Sequence, residues 1–81
     1  MHKSLIDSVA SAVRYFRKEK CLSQEELANK SKLDRTYISG VERGVRNITI
    51  ESLEQIIKAL DITNSEFFSF AIKDCDDDLH N

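Results

Sequence analysis

The residues from Arg35 to Gly44 have the most distinctive chemistry in this chain. At about 100° per residue of helix, Ile38 and Val41 fall on one side. The opposite side has polar or cationic side chains and no bulky apolar one, and its residues are Arg35, Thr36, Ser39, Gly40 and Arg43. Guanidinium and hydroxyl groups can donate hydrogen bonds to base edges. This narrow cationic face therefore suits an element inserted into a groove of double-stranded DNA.

Four side chains near the start of this helix are the candidate base readers. Arg35 is predicted to bond guanine O6 and N7, with a phosphate contact as the alternative. Thr36 and Ser39 can contact bases or phosphates, or lie on a solvated face. Tyr37 is at the border between the faces. It is predicted to touch DNA, the alternative being packing against the preceding helix with its hydroxyl outward.

The residues that follow extend the same surface. Arg43, Arg46 and Asn47 come at or beyond the helix end and are predicted to contact phosphates or the minor groove. Gly40 lies in mid-helix, where glycine costs about 1 kcal/mol relative to alanine. Either a close approach of the backbone to DNA or a tight packing contact would explain it.

Charge is divided unevenly along the chain. The net charge is −2, with 41% hydrophobic and 32% charged residues, which is typical of a folded soluble domain. Residues 1–48 contain ten Lys/Arg against six Asp/Glu, whereas residues 49–81 contain two against eight. The basic part includes the candidate DNA-reading helix, so the acidic part is expected to face away from phosphate.

Apolar spacing and capping residues predict five helices and no strands. The first helix runs from about Leu5 to Lys20, and the second ends near Ser31. Ser23 with Glu26 and Thr63 with Glu66 form two predicted capping boxes. Gly44 is expected to be a left-handed residue ending helix three. The remaining predicted caps are Ser4, Asp34 and Thr49.

Helices two and three, from Gln24 to Arg43, have the pattern of a helix-turn-helix. Ala28 is the small residue required where the helices cross closely. Leu27, Leu33, Ile38 and Val41 occupy the apolar contact positions. The chain is predicted to be a single domain over residues 1–81, with an ordered core of about residues 5–72. Residues 74–81 are expected to form a frayed acidic tail.

Several classes of function are not expected. No run approaches the roughly 20 apolar residues of a membrane span, and a signal-peptide core is lacking, so a bacterial cytoplasmic location is expected. Cys21, Cys75, His2 and His80 lack metal-ligand spacing, and both cysteines are expected to be reduced. No nucleophile–base pairing or phosphate-binding glycine loop indicates an enzyme, and no cofactor, metal or small-molecule ligand is predicted.

Three segments resemble the Xre/phage-repressor family. They are the segment Ser23–Ala28, the segment Leu33–Ser39, and the segment Glu42–Gly44 with Arg46 and Asn47. Residues 5–72 resemble the family, and the stretch from Leu33 to Glu54 is most similar to controller proteins of bacterial restriction–modification systems. The resemblance implies a compact five-helix, lambda-repressor-like DNA-binding domain. It also implies a homodimer on a pseudo-palindromic operator that activates and represses its own promoter, with RNA polymerase as a candidate partner.

The resemblance adds roles for particular residues. Gln24 corresponds to a phosphate-clamping glutamine at the start of helix two. Arg17 and Glu42 correspond to a partly buried ion pair between helices one and three, although sequence alone would place both at the surface. Cys21 and Lys32 stand where many relatives have glycine, so a left-handed residue there would cost roughly 1–2 kcal/mol.

The apolar C-terminal third predicts dimerisation, because a subunit of this size cannot bury all of its phenylalanines. The predicted seam consists of Leu53, Ile57, Phe67, Phe68 and Phe70. A monomer with a modest exposed patch is the alternative. The resulting hypothesis is a sequence-specific transcriptional regulator of the controller type. The alternatives are another small Xre-type repressor, or an antitoxin or adaptor that binds proteins with little DNA specificity.

Overall fold

The computed structural model describes residues 4–79, and the side chains of residues 4–73. Over this range the chain forms five helices and no strand, as the apolar spacing predicts. None of these helices is both long and apolar enough to cross a membrane. The helices are α1 (Leu5–Glu19), α2 (Gln24–Ser31), α3 (Arg35–Glu42), α4 (Ile50–Ala59) and α5 (Asn64–Leu79).

Hydroxyl side chains begin four of the helices by accepting a backbone N–H of the first turn. The capping boxes of α2 and α5 are both present. In each box, the hydrogen bonds that the carboxylate accepts at the cap residue lower the pKa of the glutamate. At α3, Asp34 is the N-cap residue, but its side chain makes no capping bond. The four hydroxyls are those of Ser4, Ser23, Thr49 and Thr63.

The core lies between the helix-turn-helix and the two flanking helices. α2 packs against α3 and α4, while α1 packs against α3 and α5. This arrangement holds α3 from behind and leaves its other side open to solvent. The fully buried side chains of the core include Leu27, Ile38, Ile56, Leu60 and Phe67.

Among residues 4–79, left-handed residues occur at four turns. Gly44 has φ +72°, and the two predicted non-glycine positions, Cys21 and Lys32, have φ of 56° and 61°. Asp61, at 58°, is a third such residue that the sequence pattern did not indicate. Each of these turns reverses the chain just after a helix, where a left-handed residue lets backbone N–H groups bond the last carbonyls.

The backbone of α5 remains helical to Leu79 and so enters the predicted tail. No glycine or proline follows Ile72 to end the helix earlier. The side chains of residues 74–81 lie outside the described residues, as do His2 and His80 of the metal-site analysis. The single domain with a frayed end stays a prediction.

Candidate nucleic-acid interface

Helix α3 has one buried face and one solvent-facing face. Ile38 and Val41 are buried against the core. On the other side, Arg35 and Thr36 are exposed and Ser39 is half-buried. An α-helix with its side chains is about 10–12 Å in diameter, which matches the ~12 Å width of a DNA major groove. The structure therefore presents these three predicted base readers together on an element that fits the groove.

Gly40 does not belong to this open face, because it is buried. A Cβ added at Gly40 would lie 3.2 Å from the Cβ of Arg46. Of the two explanations left open by the sequence, the tight packing contact is the one that the structure supports. The glycine lets the segment after α3 pass close to the helix.

The end of α3 fixes the direction of that segment. The N–H of Gly44 donates to the carbonyl of Val41 (3.0 Å), and the N–H of Val45 donates to the carbonyl of Gly40 (3.1 Å). These two bonds with a left-handed Gly44 are the Schellman arrangement. Arg46 then packs against Gly40 and the ring of Tyr37. Three polar side chains at and after the end of α3 are exposed, namely Arg43, Arg46 and Asn47.

Tyr37 packs its ring against Arg46 and does not expose its hydroxyl to solvent. Its ring is half-buried, and the guanidinium carbon of Arg46 lies 4.9 Å from the ring centroid, within cation–π range. The hydroxyl of Tyr37 is buried and has no hydrogen-bond partner. The sequence analysis expected a packed Tyr37 to turn its hydroxyl outward, whereas the hydroxyl is turned inward.

Arg17 and Glu42 join α1 to α3 through a two-bond contact. Arg17 Nε donates to Glu42 Oε2 at 2.6 Å, and Arg17 Nη2 donates to Oε1 at 3.0 Å. The remaining amino group, Nη1, donates to the carbonyl of Leu22 at 2.7 Å. The hydrogen bonds with Glu42 raise the pKa of the Arg17 guanidinium further, although burial opposes this. The side chains are only 11% and 3% exposed, so these charges are not the surface pair that sequence alone suggests.

Gln24, at the first position of α2, is the fourth group of this cluster. Its amide nitrogen donates to Glu42 Oε1 at 3.1 Å. The cluster therefore ties together the end of α1, the start of α2 and the end of α3. It fixes the orientation of α3 relative to the N-terminus of α2.

The residues of the predicted dimer seam differ in how much surface they expose on one subunit. Leu53, Ile57 and Phe67 are buried in the subunit's own core, so they offer little surface to a second copy. Phe67 faces inward because α5 packs on α1, where it meets the ring of Phe16. Phe70 is half-buried and stacks on Tyr15, with ring centroids 4.4 Å apart.

An apolar surface is exposed where α1, α4 and α5 meet, and it is called the apolar face here. It shares Leu53 and Phe68 with the predicted seam. Ile50 is 81% exposed at its centre, while Leu5 and Ile6 are exposed at its edge. The face contains a cleft of about 380 Å³. Helical spacing had assigned Ile50 to the α4 core stripe; its position as the first residue of α4 was the signal that it could project beyond the core. The cleft is lined by Leu5, Ile6, Val9, Asn47, Ile48, Ile50, Leu53 and Phe68.

Comparison with known proteins shows the family. A helix-turn-helix family model matches residues 13–67, more than half of the chain. Control protein C.MunI of Mycoplasma sp is 50% identical over 58 residues, covering 70% of this chain and 78% of that protein. Control protein C.BamHI of Bacillus amyloliquefaciens is 45% identical over 49 residues, covering 60% of each.

Solved structures agree with the sequence matches. The wild-type restriction–modification controller protein C.Esp1396I is 49% identical, with a TM-score of 0.85 and coverage of 89% of this chain and 95% of that chain. C.Esp1396I is also known as a tetramer in complex with its natural 35 base-pair operator. These matches confirm the predicted fold and the predicted resemblance. The chain belongs to the Xre-type helix-turn-helix family, among the restriction–modification controller proteins.

Proposed function

We propose that this protein is a sequence-specific transcriptional regulator that inserts α3 into the major groove of its operator. The observation that carries the proposal is the open face of α3, where Arg35, Thr36 and Ser39 lie opposite the buried Ile38 and Val41. Arg35 bonds guanine through two N–H groups, and the two hydroxyls contact neighbouring bases or phosphates.

The surrounding residues hold the phosphate backbone. Arg43, Arg46 and Asn47 are exposed beside α3, and Gln24 begins the helix that crosses behind it. Contacts of this kind position the protein on the duplex without reading its sequence. The ring of Tyr37 contributes by keeping the Arg46 guanidinium on this surface.

A second copy of the chain completes the regulator. One helix of about 12 Å reads one groove, and a palindromic operator presents two major grooves about 34–36 Å apart on the same side of the duplex. The apolar face is the surface that the second copy covers, because it exposes Ile50 and its cleft is lined partly by Asn47, which belongs to the DNA-contacting segment. In a dimer joined at this face, each α3 helix reads one half-site of the operator. The tetramer that C.Esp1396I forms on its operator supports assembly of this kind.

The regulator acts on its own promoter, as a controller that activates at low concentration and represses at high concentration. Activation requires contact with RNA polymerase bound next to the operator. Purified polymerase and a template with the protein's own upstream region test this: transcript should rise and then fall as protein is added. If transcript only falls as protein is added, the protein represses its promoter without activating it.

Selection of duplexes from a random pool tests DNA recognition. A single palindromic consensus should emerge and bind orders of magnitude more tightly than scrambled DNA, with affinity falling steeply as salt rises. Arg35→Ala should relax preference at one position by about 1–3 kcal/mol. Arg14→Ala, which changes an exposed arginine of α1, is the matched control and should keep the full preference. Equal binding of all sequences would instead favour the adaptor hypothesis.

Sedimentation of two variants tests the dimer face. Ile50→Glu introduces a charge at the centre of the apolar face and should give monomers that stay folded. Ile72→Glu is the control, because Ile72 is also exposed but does not line the cleft. If Ile50→Glu sediments as the wild type does, the second copy binds elsewhere.

A further inference from the structure

The Glu42 carboxylate accepts hydrogen bonds from two side chains, Arg17 and Gln24. Its Oε1 atom accepts from Arg17 Nη2 at 3.0 Å and from Gln24 Nε2 at 3.1 Å. The carboxylate is almost fully buried, and Arg17 also holds its other oxygen, Oε2. Glu42 is thus fixed in place by one partner while it bonds the amide of the other.

The bond to Gln24 selects one orientation of a side-chain amide. An ionised carboxylate only accepts hydrogen bonds, so the amide must turn its NH₂ group, and not its carbonyl, toward Glu42. That NH₂ group has two N–H bonds, and Glu42 uses one of them. Gln24 is the first residue of α2, whose leading backbone N–H groups lack carbonyl partners within the helix.

We infer that Glu42 is a positioning residue for DNA binding, because it orients the Gln24 amide so that its second N–H and the N-terminus of α2 bond the same phosphate. This inference rests on the proposed DNA-binding function. Without Glu42 the amide is free to flip, and a flipped amide turns its carbonyl oxygen toward the negatively charged phosphate. Arg17 has a complementary part, since its charge neutralises a carboxylate that would otherwise repel the DNA backbone.

A double-mutant cycle on the selected operator duplex tests the inference. Glu42→Gln keeps the shape, but an amide at this position can donate as well as accept, so it no longer selects one orientation of the Gln24 amide; Gln24→Ala removes that amide. Each single variant should weaken operator binding about three- to ten-fold, the range expected for one hydrogen bond. The double variant should bind no more weakly than Gln24→Ala alone. Losses that multiply in the double variant would overturn the inference, because Glu42 would then act without Gln24.

Salt dependence separates this role from general destabilisation. Gln24 is neutral, so Gln24→Ala should leave the slope of log affinity against log salt unchanged. Arg43→Ala should reduce its magnitude by about 0.9 if Arg43 neutralises one phosphate. Gln55→Ala, at an exposed glutamine of α4, is the matched control and should change neither affinity nor slope.

The folded wild-type protein provides a second test should Glu42→Gln fail to fold. The side-chain amide of Gln24 should show restricted motion on the nanosecond scale in the free protein, and one of its two proton signals should shift when the operator binds. An amide group at Gln24 as mobile as that of the exposed Gln55 would overturn the inference. If Arg35→Ala also leaves binding to every duplex unchanged, the proposed function itself is wrong. If Arg35→Ala weakens binding and Gln24→Ala does not, only the positioning role is wrong.

Discussion

Replacing Arg17 with methionine should destabilise the protein far more than a surface substitution does. Methionine keeps most of the apolar stem but removes the two bonds to Glu42 and the bond to the Leu22 carbonyl. Glu42 would then be a nearly buried carboxylate that still accepts a hydrogen bond from the Gln24 amide but has lost its charged partner. Leaving one member of a buried pair without its partner costs about 3–5 kcal/mol. A domain of this size has a free energy of unfolding of only about 5–15 kcal/mol, so the loss is a large share.

Urea unfolding at a single protein concentration measures this effect, since dimerisation makes stability depend on concentration. Arg14→Met is the matched control on the exposed side of α1, and it should cost at most about 1 kcal/mol. Replacing both members, with Arg17→Met and Glu42→Leu together, should recover much of the loss because no buried charge remains unpaired. If Arg17→Met and Arg14→Met unfold at the same urea concentration, the ion pair contributes no more than a surface contact and the reasoning fails.

Three further outcomes are expected. Glu26→Gln removes the capping carboxylate of α2. The pKa of Glu26 is lowered from 4.5 in the folded state, so the ionised carboxylate stabilises the fold above pH 4.5, and this stabilisation is lost at lower pH. Thermal unfolding of this variant and the wild type should therefore differ near pH 7 and converge in acid; a constant difference would contradict this. Lys32→Gly should raise the free energy of unfolding by about 0.5–1 kcal/mol, because glycine adopts the left-handed conformation of residue 32 without strain. Lys30→Gly, inside α2, should lower it by about as much. A loss of stability at both sites would refute the left-handed conformation of Lys32. Phe67→Ala should lower the free energy of unfolding in urea by about 3–5 kcal/mol, because Phe67 lies in the subunit core, and it should not dissociate the dimer first. Dissociation with unchanged subunit stability would place Phe67 in the dimer seam instead.

The starts of the helices could be predicted from sequence because capping is a local interaction. A hydroxyl at the N-cap bonds an N–H three residues along, so the sequence pairs Ser23 with Glu26 and Thr63 with Glu66 without reference to the rest of the fold. Gly44 was predictable for the same reason, since a left-handed residue ends a helix through bonds to its own last turn. Asp34 was placed correctly as the N-cap residue, although its side chain makes no capping bond.

The sequence by itself determined the helices and the polar face of α3, because helical periodicity assigns each side chain to a face. Tertiary packing decided what those faces meet. Gly40 belonged to the polar face by periodicity, yet it is covered by the segment around Arg46, which returns only after the Gly44 turn. Phe67 and Ile50 both fit apolar stripes, but α1 covers the first and leaves the second open. Arg17 and Glu42 form a buried ion pair because α1 and α3 pack together at that point. The two residues are far apart in the chain, so the spacing of residue types could not show that they meet.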